Sequence, residues 1–155
     1  MKKILALILA AALTLSMAAC GGSQEPAAKS IDLNAIYTEY ENTLPEMMVL
    51  DDTTMLNFLG LQAADCKQVI AAVCANGLRT DEVWLVEAVD AAAFERITTL
   101  AETRLAAKAD ETVSYSPDQY AVVEKAVILT NGLYLAFLVS PDVDTLKTTF
   151  EAAFN

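Results

Sequence analysis

Two stretches decide the fold: residues 83–94, VWLVEAVDAAAF, and residues 135–146, LAFLVSPDVDTL. Set against each other at an offset of 52 residues, Leu85 matches Phe137, Val86 matches Leu138, Asp90 matches Asp142 and Phe94 matches Leu146. Each opens on an apolar run of strand length, passes an acidic residue suited to starting a helix, and continues with apolar residues at helical spacing. Each also follows an Asn-Gly pair, with three more residues between turn and strand in the first copy. In the second copy the apolar runs 126–130 and 133–139 flank Asn131-Gly132, a strong short-range hairpin signal. The run before the first pair, residues 67–75 (KQVIAAVCA), reads as helix or strand on its own, and the parallel with the second copy favours a strand.

Working outward, helix 91–109 places Phe94, Ile97, Ala101 and Leu105 on one face and Glu95, Arg96, Glu102 and Lys108 on the other. Ser116-Pro117-Asp118-Gln119 has the form of a capping box with proline at the first helical position, opening a short helix through Val122 and Val123. Asp142, or Ser140 with Pro141, starts the last helix, with Leu146, Phe150 and Phe154 inward. Upstream, Ser30 or Asp32 caps a helix carrying Leu33, Ile36, Tyr37 and Tyr40, which Pro45 ends. Asp51-Asp52-Thr53-Thr54 caps a second, with Met55, Leu56 and Leu59 before Gly60. The expected class is α+β: a four-stranded, mainly antiparallel sheet with helices packed on it, as two ββα repeats preceded by two short N-terminal helices. Leu85, Phe137 and Val139 are expected to face the repeat helices. Trp84, Val86, Tyr134, Ala136 and Leu138 would then form the opposite face. So apolar a face is either covered by the N-terminal helices or presented to a partner.

The N-terminus supplies an address. Lys2 and Lys3 precede an apolar run from Ile4 to Leu15, and Ala18 and Ala19 stand just before Cys20. This is the layout of a secretory signal peptide, with an apolar core shorter than the about 20 residues a membrane span needs. Met17-Ala18-Ala19-Cys20 resembles the lipobox of bacterial lipoproteins, with Met17 in place of the usual Leu or Val. The resemblance implies cleavage before Cys20 and a diacylglyceryl group on its thiol, and two acyl chains suffice for stable anchoring. Residues 1–19 are therefore expected to be a lipoprotein signal peptide, residues 20–29 the lipidated cysteine and a flexible tether, and residues 30–155 a single domain.

Without residues 1–19, which carry two lysines and no acid, the chain keeps eight basic residues against 21 acidic ones, a net charge of −13. That argues against nucleic acid as a partner, because phosphate binding needs clustered Lys and Arg. Cys66 and Cys74 lie about 26 Å apart along a strand or about 12 Å along a helix, beyond disulfide reach unless a turn intervenes, so two free buried thiols is the preferred reading over an exposed redox pair.

The chain has no histidine. That removes Ser-His-Asp and Cys-His catalysis, the usual zinc sites and the commonest general base. No Gly-rich phosphate loop, CxxC pair or dinucleotide fingerprint is present. Asp51-Asp52 and Asp142-Val143-Asp144 do not match a calcium loop and are explained by helix capping. Arg104, Tyr115, Pro117 and Tyr120 form a cluster that reads as a clamp for an anionic or sugar ligand, or as a structural corner.

The stretches ANG…DEVWLVEA, ETRLAAK…YSPDQYAVVEKAV and TNGLYLAFLVSPD resemble domain-of-unknown-function family 4358, predicted lipoproteins mostly of Gram-positive gut bacteria. The resemblance spans about residues 30–155 and is carried by Glu82, Glu87, Arg104, Tyr115, Pro117, Tyr120, Asn131, Gly132, Pro141 and Asp142. It implies the same location, with Cys20 as the anchor, and implies no activity. The expectation is a lipoprotein on the extracytoplasmic face of the bacterial cell membrane, held in the lipid bilayer by diacylglyceryl on Cys20. It is expected to be non-enzymatic, with no catalytic residue, cofactor or metal, and to dock an envelope protein partner through the sheet face near Trp84 and Tyr134. The alternative is a small-ligand-binding lipoprotein, such as a transporter accessory, using Arg104, Tyr115 and Tyr120.

Overall fold

Five strands, not four, make one antiparallel sheet in the computed structural model, which describes residues 30–155. The signal-peptide, Cys20 and tether readings fall outside those residues. The strands are β1 (Met47–Val49), β2 (Cys66–Cys74), β3 (Glu82–Ala88), β4 (Val127–Asn131) and β5 (Tyr134–Val139), in the order β1-β2-β3-β5-β4. The helices are α1 (Leu33–Tyr40), α2 (Asp52–Leu59), α3 (Ala91–Tyr115), α4 (Pro117–Val123) and α5 (Val143–Ala152). Strand–strand–helix occurs twice, as β2-β3-α3 and β4-β5-α5. The additional strand, β1, is too short to show a period in sequence. It pairs with only the end of β2, through Met47↔Cys74 to Val49↔Ala72.

Local chemistry sets the ends of these elements. The Asp32, Asp51 and Asp90 carboxylates accept the backbone N–H groups of Asn34, Thr54 and Ala93, satisfying donors that open α1, α2 and α3. Gly60 closes α2 in the left-handed region, at φ +74°. The Asn131-Gly132 hairpin turns one residue later than the sequence suggests: Asn131 pairs with Tyr134, and Gly132-Leu133 form the turn with Gly132 at φ +58°. A single positive φ at the first central position is the type II′ arrangement, which glycine favours. Helix α1 stops at Tyr40, before Pro45. Helix α3 runs to Tyr115 rather than 109, since nothing in its sequence breaks it before Ser116-Pro117.

The expected assignment of side chains to sheet faces is corrected by the register. Trp84 stands opposite Phe137 and Leu85 opposite Ala136. Cross-strand partners share a face, so odd positions on β3 share a face with even ones on β5. Residues matched at the offset of 52 keep their parity and therefore end on opposite faces. Leu85 lies with Val83, Tyr134, Ala136 and Leu138 under α1 and α5. Trp84 and Val86 lie with Leu135, Phe137 and Val139 under α2 and α3. Both faces are covered: Trp84 is fully buried and Tyr134 is 8% exposed, with its hydroxyl accepting the Ile31 N–H. The sheet face near Trp84 and Tyr134 is thus core, and the two residues are on opposite sides of the sheet.

Cys66 and Cys74 are free and sit at the two ends of β2, Cys74 buried and Cys66 half-buried. Burial, with help from the Asp65 and Asp52 carboxylates, pushes the Cys66 thiol up to about 11. Thiolate is the reactive form, so at pH 8 iodoacetamide is expected to alkylate native Cys66 about a hundredfold more slowly than the denatured chain, judged by its thiolate fraction. Mass spectrometry of the Cys66 peptide over time measures it, and equal rates in both states would contradict the burial.

Candidate functional site

Glu82 opens β3, and its parity points its side chain to the α3 side of the sheet, with Trp84 and Val86. Helix α3 turns back over β3 after only two residues. Six strand rises from Ala88 to Glu82 cover about 20 Å. Thirteen helical rises from Ala91 to Arg104 cover about 20 Å as well. Arg104 is therefore delivered over Glu82, and Lys108, one turn further on, shares its face.

These three side chains form one ion cluster. Arg104 Nε donates to Glu82 Oε1 at 3.0 Å and Nη2 to Oε2 at 2.8 Å. Lys108 Nζ lies 2.9 Å from Glu82 Oε2 and donates to the Thr80 carbonyl, also at 2.9 Å. Trp84 Nε1 donates to Glu82 Oε1 at 2.9 Å from the core side. The Glu82 carboxylate is entirely buried, while the side chains of Arg104 and Lys108 are 22% and 10% exposed. The Arg104 guanidinium also stands 4.9 Å from the centre of the Phe58 ring of α2, within cation–π range.

The segment 75–81 between β2 and β3 folds over the same end of the sheet. Asn76 Oδ1 accepts the Leu78 N–H and the Asn76 carbonyl accepts the Arg79 N–H, closing a tight turn. Arg79 then forks onto Asp81, with Nε to Oδ2 at 2.9 Å and Nη2 to Oδ1 at 3.0 Å. Gln119 Oε1 accepts the N–H and the hydroxyl of Thr80 at 2.9 and 3.1 Å. This corrects the capping-box expectation: Gln119 ties α4 to the turn, and no side-chain bond caps α4 at Ser116.

Between this turn, the last three turns of α3 and Phe58 lies a cleft of about 470 Å³. Of the candidate binding residues Trp84, Arg104, Tyr115, Tyr120 and Tyr134, Arg104 and Tyr115 line it. Tyr115 is the last residue of α3 and is 87% exposed. Tyr120 is half-buried on α4 and is not a wall of the cleft. Trp84 holds Glu82 from beneath, and Tyr134 is on the far face of the sheet. Sequence reasoning missed Phe58, Arg79, Thr80 and Lys108 as walls, although the i, i+4 pair Arg104 and Lys108 and the matched lengths of β3 and the first half of α3 were usable signals. Among the described residues no three His, Cys, Asp or Glu side chains converge as a metal site. The walls of the cleft carry three cations, three carboxylates, hydroxyls and apolar surface. No described helix is long and apolar enough to cross a membrane.

Residues 39–140 match the family model described as Domain of unknown function (DUF4358), and the chain belongs to that family. No curated protein and no solved structure matches it.

Proposed function

We propose that this family member is a non-enzymatic lipoprotein on the extracytoplasmic face of the membrane that binds a small ligand in the cleft beside Arg104. The observation that carries this reading is the cleft itself. Its volume of about 470 Å³ falls within the range of about 300–1,000 Å³ of small-molecule sites. It also brings convergent charged groups together with exposed apolar side chains. Docking a protein through the sheet is disfavoured, because both faces are filled by this chain's own helices. With Cys20 as the anchor, the short tether would hold the cleft near the bilayer surface, where a transporter accessory could collect or deliver its ligand.

The test is a native mass spectrum of the full chain, taken from its own membrane in detergent. A small-molecule mass beyond the lipid on Cys20 is expected, lost on dilution. A bare lipoprotein mass in repeated preparations counts against the ligand. Cys20→Ser checks the anchor separately, and is expected to leave the chain unlipidated and out of the membrane fraction. A Cys20→Ser chain that stays lipidated in the membrane would overturn that part.

A further inference from the structure

We infer that the cleft selects organic anions, molecules with a carboxylate or other oxyanion at one end and an apolar, ring-bearing body at the other. This rests on the binding-cleft reading above and adds the class of ligand. Residues 30–155 carry seven basic side chains against 20 acidic ones, yet Arg79, Arg104 and Lys108 all line this one cleft. The lining charges sum to zero, since Asp81, Glu82 and Glu111 are also there. The preference therefore comes from arrangement. The Asp81 and Glu82 side chains are 1% and 0% exposed, so these two carboxylates sit behind and Glu111 alone is exposed, leaving three outward cations against one outward carboxylate. The side chains of Arg79, Arg104 and Lys108 keep 38%, 22% and 10% of their surface in front.

The remaining hydrogen-bonding capacity points the same way. Each arginine spends Nε and Nη2 on its own carboxylate, and Nη1 of both makes no hydrogen bond within residues 30–155. Lys108 has two acceptors for three donors, Glu82 Oε2 and the Thr80 carbonyl. The unspent groups on these three cations are all donors. An oxyanion, which only accepts, is their complement, whereas an ammonium brings only donors to these three cations and an amide brings one acceptor without charge. The buried carboxylates also fix the guanidiniums in place, so little side-chain freedom is lost on binding. Tyr115, Leu78 and Phe58, which are 87%, 85% and 55% exposed, line the same cleft and give a ring or alkyl body somewhere to lie.

Carboxylate and phosphate esters share this chemistry, and titration calorimetry of the full chain in detergent separates them. The probes are N-acetyl-L-phenylalanine, its C-terminal amide and phenyl phosphate. The acid is expected to bind at least about tenfold more tightly than the amide, the value of one charge-assisted contact, and added sodium chloride should weaken it. Phenyl phosphate as the tighter anion would support the same class and assign the phosphate source. Tyr115→Ala, at an exposed position that cannot disturb the core, is expected to weaken the acid about three- to tenfold with unchanged melting. Equal binding of acid and amide overturns anion selection while leaving a binding cleft. If no probe binds, the co-purifying mass decides. An anion with an apolar body supports the proposal, and a neutral or cationic molecule overturns it. No bound mass at all removes the binding-cleft reading with it.

Discussion

Replacing Glu82 by alanine is expected to destabilise the domain by about 3–5 kcal/mol, the cost of breaking a buried ion cluster by removing one partner. The carboxylate accepts bonds from Arg104, Lys108 and the Trp84 indole at once, at distances of 2.8–3.2 Å. Its loss strands the Trp84 N–H in the core and leaves two cations over a hole. Arg104, less buried, recovers part of its hydration through the cleft, so most of the cost falls on Lys108, Trp84 and the cavity. Typical domains are stable by only about 5–15 kcal/mol, so a loss of this size moves the chain close to its unfolding threshold. Urea denaturation measures it directly. A cost below about 1 kcal/mol would mean that the cluster is solvated and not buried as described.

Trp84→Ala is expected to cost about 3–5 kcal/mol as well, by leaving a cavity where a large aromatic side chain was fully buried. Its ring centre lies 4.9 Å from that of Phe137 across the β3–β5 pair, in the layer under α2 and α3. Circular dichroism under denaturant is the readout, because the chain has no second tryptophan to report. A variant as stable as the parent would restore Trp84 to the surface and with it the sheet face as a docking site. In the parent chain the same indole serves as a probe, and its emission should be that of a side chain shielded from water.

The strands and long helices are legible in sequence where apolar period and turn chemistry agree, over 83–109 and 126–150, while 67–75 reads as a strand only through its parallel with the second copy. Face assignment was not, because it depends on register. The repeat suggested that Leu85 and Phe137 were equivalent, while pairing Trp84 with Phe137 puts equivalent residues on opposite sides. That register sends Trp84 and Tyr134 into different layers. It also explains why α3 and α5 cover opposite faces rather than sharing one. Strand β1 was hidden for a simpler reason, since three residues cannot display a period.

The cleft was half legible. Arg104 and Tyr115 were picked out as clamp or corner, and the structure gives Arg104 both parts: a buttress on Glu82 and a wall of the cleft. Tyr120, an aromatic that follows Arg104 and Tyr115 in sequence, is half-buried on α4 and is not a wall of the cleft. Lys108 was assigned to the outer face of its helix, on the assumption that charge belongs outside. The equal lengths of β3 and the first half of α3 were in the sequence all along, and they place Arg104 and Lys108 over Glu82. Arg79 and Thr80 could not have been found this way, since their positions depend on the turn between β2 and β3.

Buried ion clusters contribute little net stability compared with apolar side chains of the same shape, so retaining one calls for a reason beyond the fold. Under the proposed function, anion binding by its outward-facing cations supplies that reason. The most direct measurement is made on the triple variant Glu82→Gln, Arg104→Met and Lys108→Met, which removes every charge of the cluster and keeps an acceptor for the Trp84 N–H. The variant is expected to stay folded, within about 2 kcal/mol of the parent by urea denaturation. The small-molecule mass expected on the parent by native mass spectrometry should be absent from it. A folded triple variant that still carries that mass would contradict anion binding at the cluster.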